Sequence, residues 1–244
     1  MNLILQNTNI QDFLQSLSVE SAVLHLSNII EENIVFSTSF SLEDQVLTHL
    51  LRNHFDIVKI FTLDTGRLFN ETYRVWQETE EHFKIKIKAY YPDSGELEAL
   101  INQQGINGFY QSERFRHNCC QIRKINPLIR ALSSAGLWIT GLRKEQSAFR
   151  GTLDLLEEDR STGILKYNPL IHWSYEDIFQ YIKTHDIPYN ELYDRGFLSI
   201  GCAPCTRAVL AGEDARAGRW WWEESNKECG LHYSQSNKAQ KLNT

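Results

Sequence analysis

Between residues 10 and 31 the apolar positions Ile10, Phe13, Leu14, Leu17, Val23, Leu24, Leu26, Ile29 and Ile30 fall at mostly helical spacing, and the period changes at Asn33 into the short run IVFST. That pattern predicts a helix followed by a buried strand. Ser41 with Asp44 three residues on, ahead of Val46, Leu47, Leu50 and Leu51, predicts a capping box that opens a second helix. DIVKIFTL (56–63) reads as the next strand, ETYRVWQETEEHF (71–83) as the next helix and KIKIKAYY (84–91) as a third strand. LWITGL (137–142) makes a fourth strand, after a helix that starts near Gln121. Strands alternating with helices of this length predict an α/β fold, a mostly parallel sheet with helices on both faces. From about Tyr167 the alternation fades, and Gly196 to Gly230 collects glycines, three tryptophans and three of the five cysteines. This reads as a Cys-rich C-terminal active-site segment.

No repeat, low-complexity tract or interdomain linker interrupts the 244 residues, so the expectation is one domain over 1–244. Residues 233–244 carry almost no apolar side chains and read as a loosely docked tail. With 42% apolar residues a chain of this length builds a core without disulfides or a structural metal. A net charge of −6 argues against a surface devoted to nucleic acid or anionic membrane. The first residues lack a basic stretch and a cleavage site, and no run approaches the ~20 apolar residues of a membrane span, so a soluble cytoplasmic protein is expected. In a reducing compartment, clustered cysteines point to metal or catalysis. Charge sharpens the picture: residues 114–150 hold eight basic side chains against the single acid Glu145, so this window carries +7 and the rest of the chain −13. A solvated helix face would look the same, but one basic stretch in an acidic protein favours an anion site.

Cys119-Cys120 and Cys202-x-x-Cys205 supply four thiolates from two segments, a set that suits zinc or an iron–sulfur cluster. Adjacent residues can hardly put both sulfurs on one small ion at good angles, whereas the corners of a cubane lie within reach of neighbouring sulfurs, so [4Fe-4S] is favoured over zinc. Arg123 and Lys124 follow the tandem pair and Thr206 and Arg207 follow Cys205, which predicts cationic groups around anionic ligands. Cys229 is left over, with Lys227 and His232 near it to favour a thiolate. Ser37-Thr38-Ser39-Phe40-Ser41 leaves the first strand and opens a helix, and Leu63-Asp64-Thr65-Gly66 ends the second strand in the same way. Two such turns at one sheet edge describe a nucleotide crevice, although a helix cap and a tight turn have the same residues.

The stretches STSFSLEDQVL (37–47), LDTGRLFNETY (63–73), CCQIRK (119–124), GLRKEQSAFR (141–150), GCAPCTR (201–207), GEDARAGRWWWE (212–223) and KECGLH (227–232) together resemble the assimilatory sulfonucleotide reductases. The chain is similar in particular to the iron–sulfur-containing adenylyl-sulfate (APS) reductases, which share an adenine-nucleotide alpha-hydrolase-like fold with the phosphoadenylyl-sulfate (PAPS) reductases. The resemblance implies that Cys119, Cys120, Cys202 and Cys205 ligate a [4Fe-4S] cluster and that Cys229 is the nucleophile. It implies a nucleotide and sulfate site made of the Ser37, Thr38 and Ser39 loop, the Asp64, Thr65 and Gly66 turn, Arg123 and Lys124, Arg143 and Arg150, and Arg216 with Arg219. Thioredoxin is the implied reductant, with glutaredoxin-like donors open; no nucleic-acid or membrane partner is implied, and assembly of identical copies is left open. Ser41 stands where the family commonly has glycine, whose freedom at positive φ serine lacks. A PAPS or dual-specificity reductase is the alternative. An ATP-dependent adenylating or tRNA-thiolating enzyme is a more distant one, because STSFSLED lacks the paired glycines of their SGGxDS loops. An RNA-binding module would use the basic window, which carries no recognisable RNA-binding motif.

Overall fold

The structure, a computed structural model, describes residues 9–159 and 161–223, the side chains of Ala148 and Phe149 apart. Cys229 and the expected tail at 233–244 lie outside the described residues.

The long apolar run at the start forms two helices, α1 (Ile10–Gln15) and α2 (Val19–Ser27), rather than one. Ser18 breaks it by accepting a hydrogen bond from the Ser21 N–H as an N-cap, while Leu14, Val23 and Leu26 still bury into one core. The run after Asn33 is strand β1 (Asn33–Thr38), followed by α3 (Leu42–Leu50), β2 (Val58–Leu63) and α4 (Asn70–Phe83), as the periodicity predicts. Strand β3 is only Lys88–Tyr90. The earlier half of KIKIKAYY leaves α4 through Lys84 at φ 54°, and the Glu80 carboxylate, not a neighbouring strand, takes the Ile87 N–H. Ile85 and Ile87 keep their alternate burial without a ladder.

After α5 (Ser94–Gln104), the helix expected from Gln121 begins earlier, as α6 (Glu113–Cys120), and continues through one wider π-type turn at Gln121–Ile125 into α7 (Asn126–Leu132). Strand β4 (Ala135–Ile139) follows. The chain then forms a short hairpin, β5 (Leu156–Glu158) and β6 (Leu165–Tyr167), and α8 (Tyr175–Thr184), where sequence periodicity fades. Three-residue strands are too short to declare a period.

The six strands lie in the order β3-β2-β1-β4-β6-β5, all parallel except β5 on β6. Both faces are covered, as a parallel sheet requires. Ile34, Phe36, Ile60, Leu137 and Ile139 face a large core with Leu26, Val46, Val75 and Ile178, while Val35, Phe61 and Trp138 face Leu128, Ala131 and Leu132 of α7. Strand β1 sits between β2 and β4, where the order of strands reverses direction, and α/β sheets bind ligands outside the carboxyl ends of strands at such a point. Among the described residues no helix is long and apolar enough to cross a membrane.

Candidate active site

The carboxyl ends of β1, β2 and β4 open onto a cleft of about 390 Å³, a volume within the range of small-ligand sites. Its floor is the Ser37–Asp44 loop. Phe40 takes the left-handed conformation, φ 60°, and Ser41 is extended at φ −67°. The serine at the position of the family's glycine therefore suffers no strain; its hydroxyl accepts from the Asp44 N–H and caps α3. The other half of the expected capping box is redirected. Asp44 turns its carboxylate to the Ser39 N–H and hydroxyl, both at 2.7 Å. Burial pushes the Asp44 carboxyl up to about 6, against the pull of the two Ser39 hydrogen bonds. Gly141 gives that carboxylate its space, because a Cβ there would stand 2.5 Å from Asp44 Oδ1.

Ser37, Thr38, Ser39, Thr65, Lys124, Arg143, Arg150, Arg216 and Arg219 all border the cleft. Their cations are not equivalent. Arg143 is 4% exposed and donates from Nε to Glu43 at 2.8 Å and from Nη1 to the Trp173 carbonyl at 3.1 Å, so a buried carboxylate already offsets its charge. Arg150 donates to Gln146 Oε1. Arg219 donates to the Ile200 carbonyl at 3.2 Å, and Gly201 leaves room for its guanidinium, which a Cβ there would force to shift. Asp64, Gly66 and Arg123 do not border the cleft. Asp64 instead accepts from the Gly66 N–H and from the Tyr73 hydroxyl, both at 2.8 Å, which closes the turn.

That turn serves a second pocket. Thr65 Oγ1 lies 3.3 Å from Cys202 Sγ, the Thr65 carbonyl accepts from Arg123 Nη1 at 2.6 Å, and the Arg67 carbonyl accepts the Ala203 N–H at 2.8 Å. Cys119, Cys120, Cys202 and Cys205 are thus brought together from α6 and the 202–205 turn, lining one pocket with Arg67, Phe109, Arg116, Arg123 and Lys124. Cys120, Cys202 and Cys205 are each 8% exposed. Among the described residues no three His, Cys, Asp or Glu side chains converge on a position for a single metal ion. Burial, then the neighbouring Cys202, pushes the Cys205 thiol up to about 12, with Lys124 and Arg219 pulling the other way. Burial also raises Cys119, opposed by the Arg123 charge. Buried Arg123 Nε and Trp220 Nε1 find no hydrogen-bond acceptor among the described residues. Two donors without acceptors and several cations close to four clustered cysteines describe a site for an anionic group.

Arg207, expected beside the cysteines, instead forks onto Glu213 with two bonds of 2.8 Å and does not line the pocket. Sequence reasoning missed Arg67, Arg116, Phe109 and Trp220, whose place at the cysteines depends on contacts across the fold. Only the position of Arg67 directly after LDTG could have signalled it.

The sequence profile described as the phosphoadenosine phosphosulfate reductase domain matches residues 33–208. An adenosine 5'-phosphosulfate reductase of Sinorhizobium fredii is 47% identical over 229 residues, covering 93% of this chain and 90% of that protein. One of Rhizobium meliloti is 47% identical over 222 residues, covering 91% and 83%. Among solved structures, the phosphate complex of phosphoadenylyl-sulfate (PAPS) reductase from Candida auris superposes with a TM-score of 0.67 at 26% identity, covering 83% of this chain and 97% of that one.

Proposed function

The chain belongs to the phosphoadenosine phosphosulfate reductase domain family, and from that premise we propose that it reduces adenylyl sulfate to sulfite and AMP in assimilatory sulfate reduction, with thioredoxin as reductant. The observation that carries this reading is Lys124, which borders both the strand-end cleft and the cysteine pocket and so makes them one continuous cationic site.

In this reading the nucleotide lies along the strand ends with its sulfate toward Lys124, Arg216 and Arg219. The Cys229 thiolate attacks the sulfate sulfur; an S–S bond forms, the S–O bond to phosphate breaks, and its electron pair leaves with AMP. The cations reduce repulsion between the anionic nucleophile and the sulfate oxygens, and they stabilise the phosphate as its charge grows. A thiolate of the dithiol partner then attacks the Cys229 sulfur and releases sulfite, the two electrons coming from the partner as its second thiol closes a disulfide. The reading takes residues 1–244 as one catalytic unit working in the reducing cytoplasm, where Cys229 stays a thiol.

Four cysteines on one pocket, two buried donors without acceptors and a ring of cations fit a [4Fe-4S] group held by Cys119, Cys120, Cys202 and Cys205. When bound, such a group with its four thiolates supplies a fixed negative charge that the surrounding arginines and Lys124 balance, and it ties α6 to the 202–205 turn. The dithiol partner supplies both electrons, and Cys229 returns to a thiolate at the end of each turnover.

Two facts favour adenylyl sulfate over its 3′-phosphorylated analogue. The curated relatives above are adenosine 5'-phosphosulfate reductases. In addition, the charge of Arg143 is already offset by Glu43, whereas a 3′-phosphate brings nearly two more negative charges. Comparing kcat/KM for the two nucleotides at fixed salt and thioredoxin tests the assignment. At least a tenfold preference for adenylyl sulfate is expected, and a preference for the phosphorylated form would overturn it.

A further inference from the structure

Glu223 stands six positions before Cys229. Six residues of chain span at most about 20 Å, so the place where Glu223 is held bounds where Cys229 can act. Its two carboxylate oxygens accept parallel bonds from Arg116, Nε at 2.9 Å and Nη2 at 2.8 Å, with the two side chains 1% and 7% exposed. Arg116 lies on α6, one turn before Cys120. The guanidiniums of Arg116 and Arg219 lie over the same Trp220 ring, at 4.6 and 4.8 Å. Trp220 is buried at φ 40°, and its backbone N–H donates to the Cys205 carbonyl at 3.1 Å. A non-glycine residue persists in that conformation only where its surroundings over-determine it. Glu223 itself borders neither the cleft nor the cysteine pocket.

We propose that the buried Arg116–Glu223 pair is a positioning device for the nucleophile: it fixes the root of the segment that carries Cys229 at a set place relative to the cleft. The proposal rests on the reading of Cys229 as the nucleophile. Arg219 and Trp220 already tie residues 219 and 220 to the 200–205 stretch, so the pair's distinct task is to hold the next three residues to α6. Glu223→Gln keeps the shape but removes the carboxylate charge that Arg116 forks onto, which loosens that root while the cysteine pocket and the nucleotide cleft keep all their own residues.

The test is a rapid-mixing single turnover of the metal-loaded protein with adenylyl sulfate and no reductant, following by mass spectrometry the sulfonate added to Cys229. Iron per chain and AMP affinity are measured on the same samples. Glu223→Gln is expected to slow sulfonation at least tenfold with iron and AMP affinity within twofold of the wild type. Glu223→Asp, which keeps the charge one methylene short, should be about threefold slow. An unchanged rate in Glu223→Gln, or iron content and AMP affinity falling in step with the rate, would overturn the proposal. If Glu223→Gln does not fold, the Asp variant decides, and a wild-type rate there overturns it. No adduct on Cys229 in the wild type would instead sink the nucleophile reading, an outcome distinct from every variant result.

Discussion

At the scale of single residues, the site depends on charges whose partners are fixed by the fold. Asp44 is 5% exposed and its carboxyl is pushed up to about 6 from an ordinary value of 3.8. An acid with a raised folded value favours the folded state most below its unfolded value, and that contribution is lost as pH rises through about 4 to 6. Asp44→Asn removes the ionisation. It should therefore gain stability relative to the wild type between pH 4.5 and 7, by up to roughly 3 kcal/mol, read from paired denaturant titrations. A difference that does not change with pH would show that the carboxyl is ionised at no cost. If Cys119, Cys120, Cys202 and Cys205 hold the [4Fe-4S] group as proposed, Lys124→Ala should keep its iron yet lower kcat about a hundredfold, the size expected when a group facing developing charge is removed. Loss of iron in that variant would make Lys124 a structural cation. The residue types for these roles were legible in the sequence; the offsetting of Arg143 by Glu43, a hundred positions away, was not.

At the scale of elements, the π-type turn between α6 and α7 decides where Cys119 and Cys120 point. QIRKI has no residue that announces it, so periodicity merged this stretch with α7 and missed α6. The wider turn closes with the Asn126 N–H on the Gln121 carbonyl and holds one residue more than an α-helical turn would. Deleting Gln121 should restore an unbroken helix and rotate α6 by about 100° relative to α7, carrying both cysteines off the pocket. Iron and sulfide per chain should drop to background while the far-ultraviolet circular dichroism stays near wild type. Retained iron would mean that the turn does not set the cysteine geometry. The long strands β1, β2 and β4 and helices α3 and α4 were readable because each carries a full period against a core. The β5–β6 hairpin was not, since its short strands are defined by pairing rather than pattern.

At the scale of the molecule, the mostly parallel sheet brings the ends of β1, β2 and β4 to one edge, and α6 with the 202–205 turn sets four cysteines beside that edge. Alternating elements made the sheet legible in the sequence and the spaced cysteines made the second pocket legible. The contact between the two pockets, through Thr65, Arg123 and Lys124, emerges only when residues some sixty positions apart meet. The central claim is that sulfate sulfur attached to a nucleotide is reduced by thiols at this edge, through a covalent bond to Cys229. The most direct measurement supplies adenylyl sulfate labelled in its sulfate sulfur to the wild type and to Cys229→Ser, with and without thioredoxin. The account predicts labelled sulfite only from wild type with thioredoxin, a stable label on Cys229 when thioredoxin is withheld, and neither from the serine variant. Sulfite released by Cys229→Ser at the wild-type rate would contradict it.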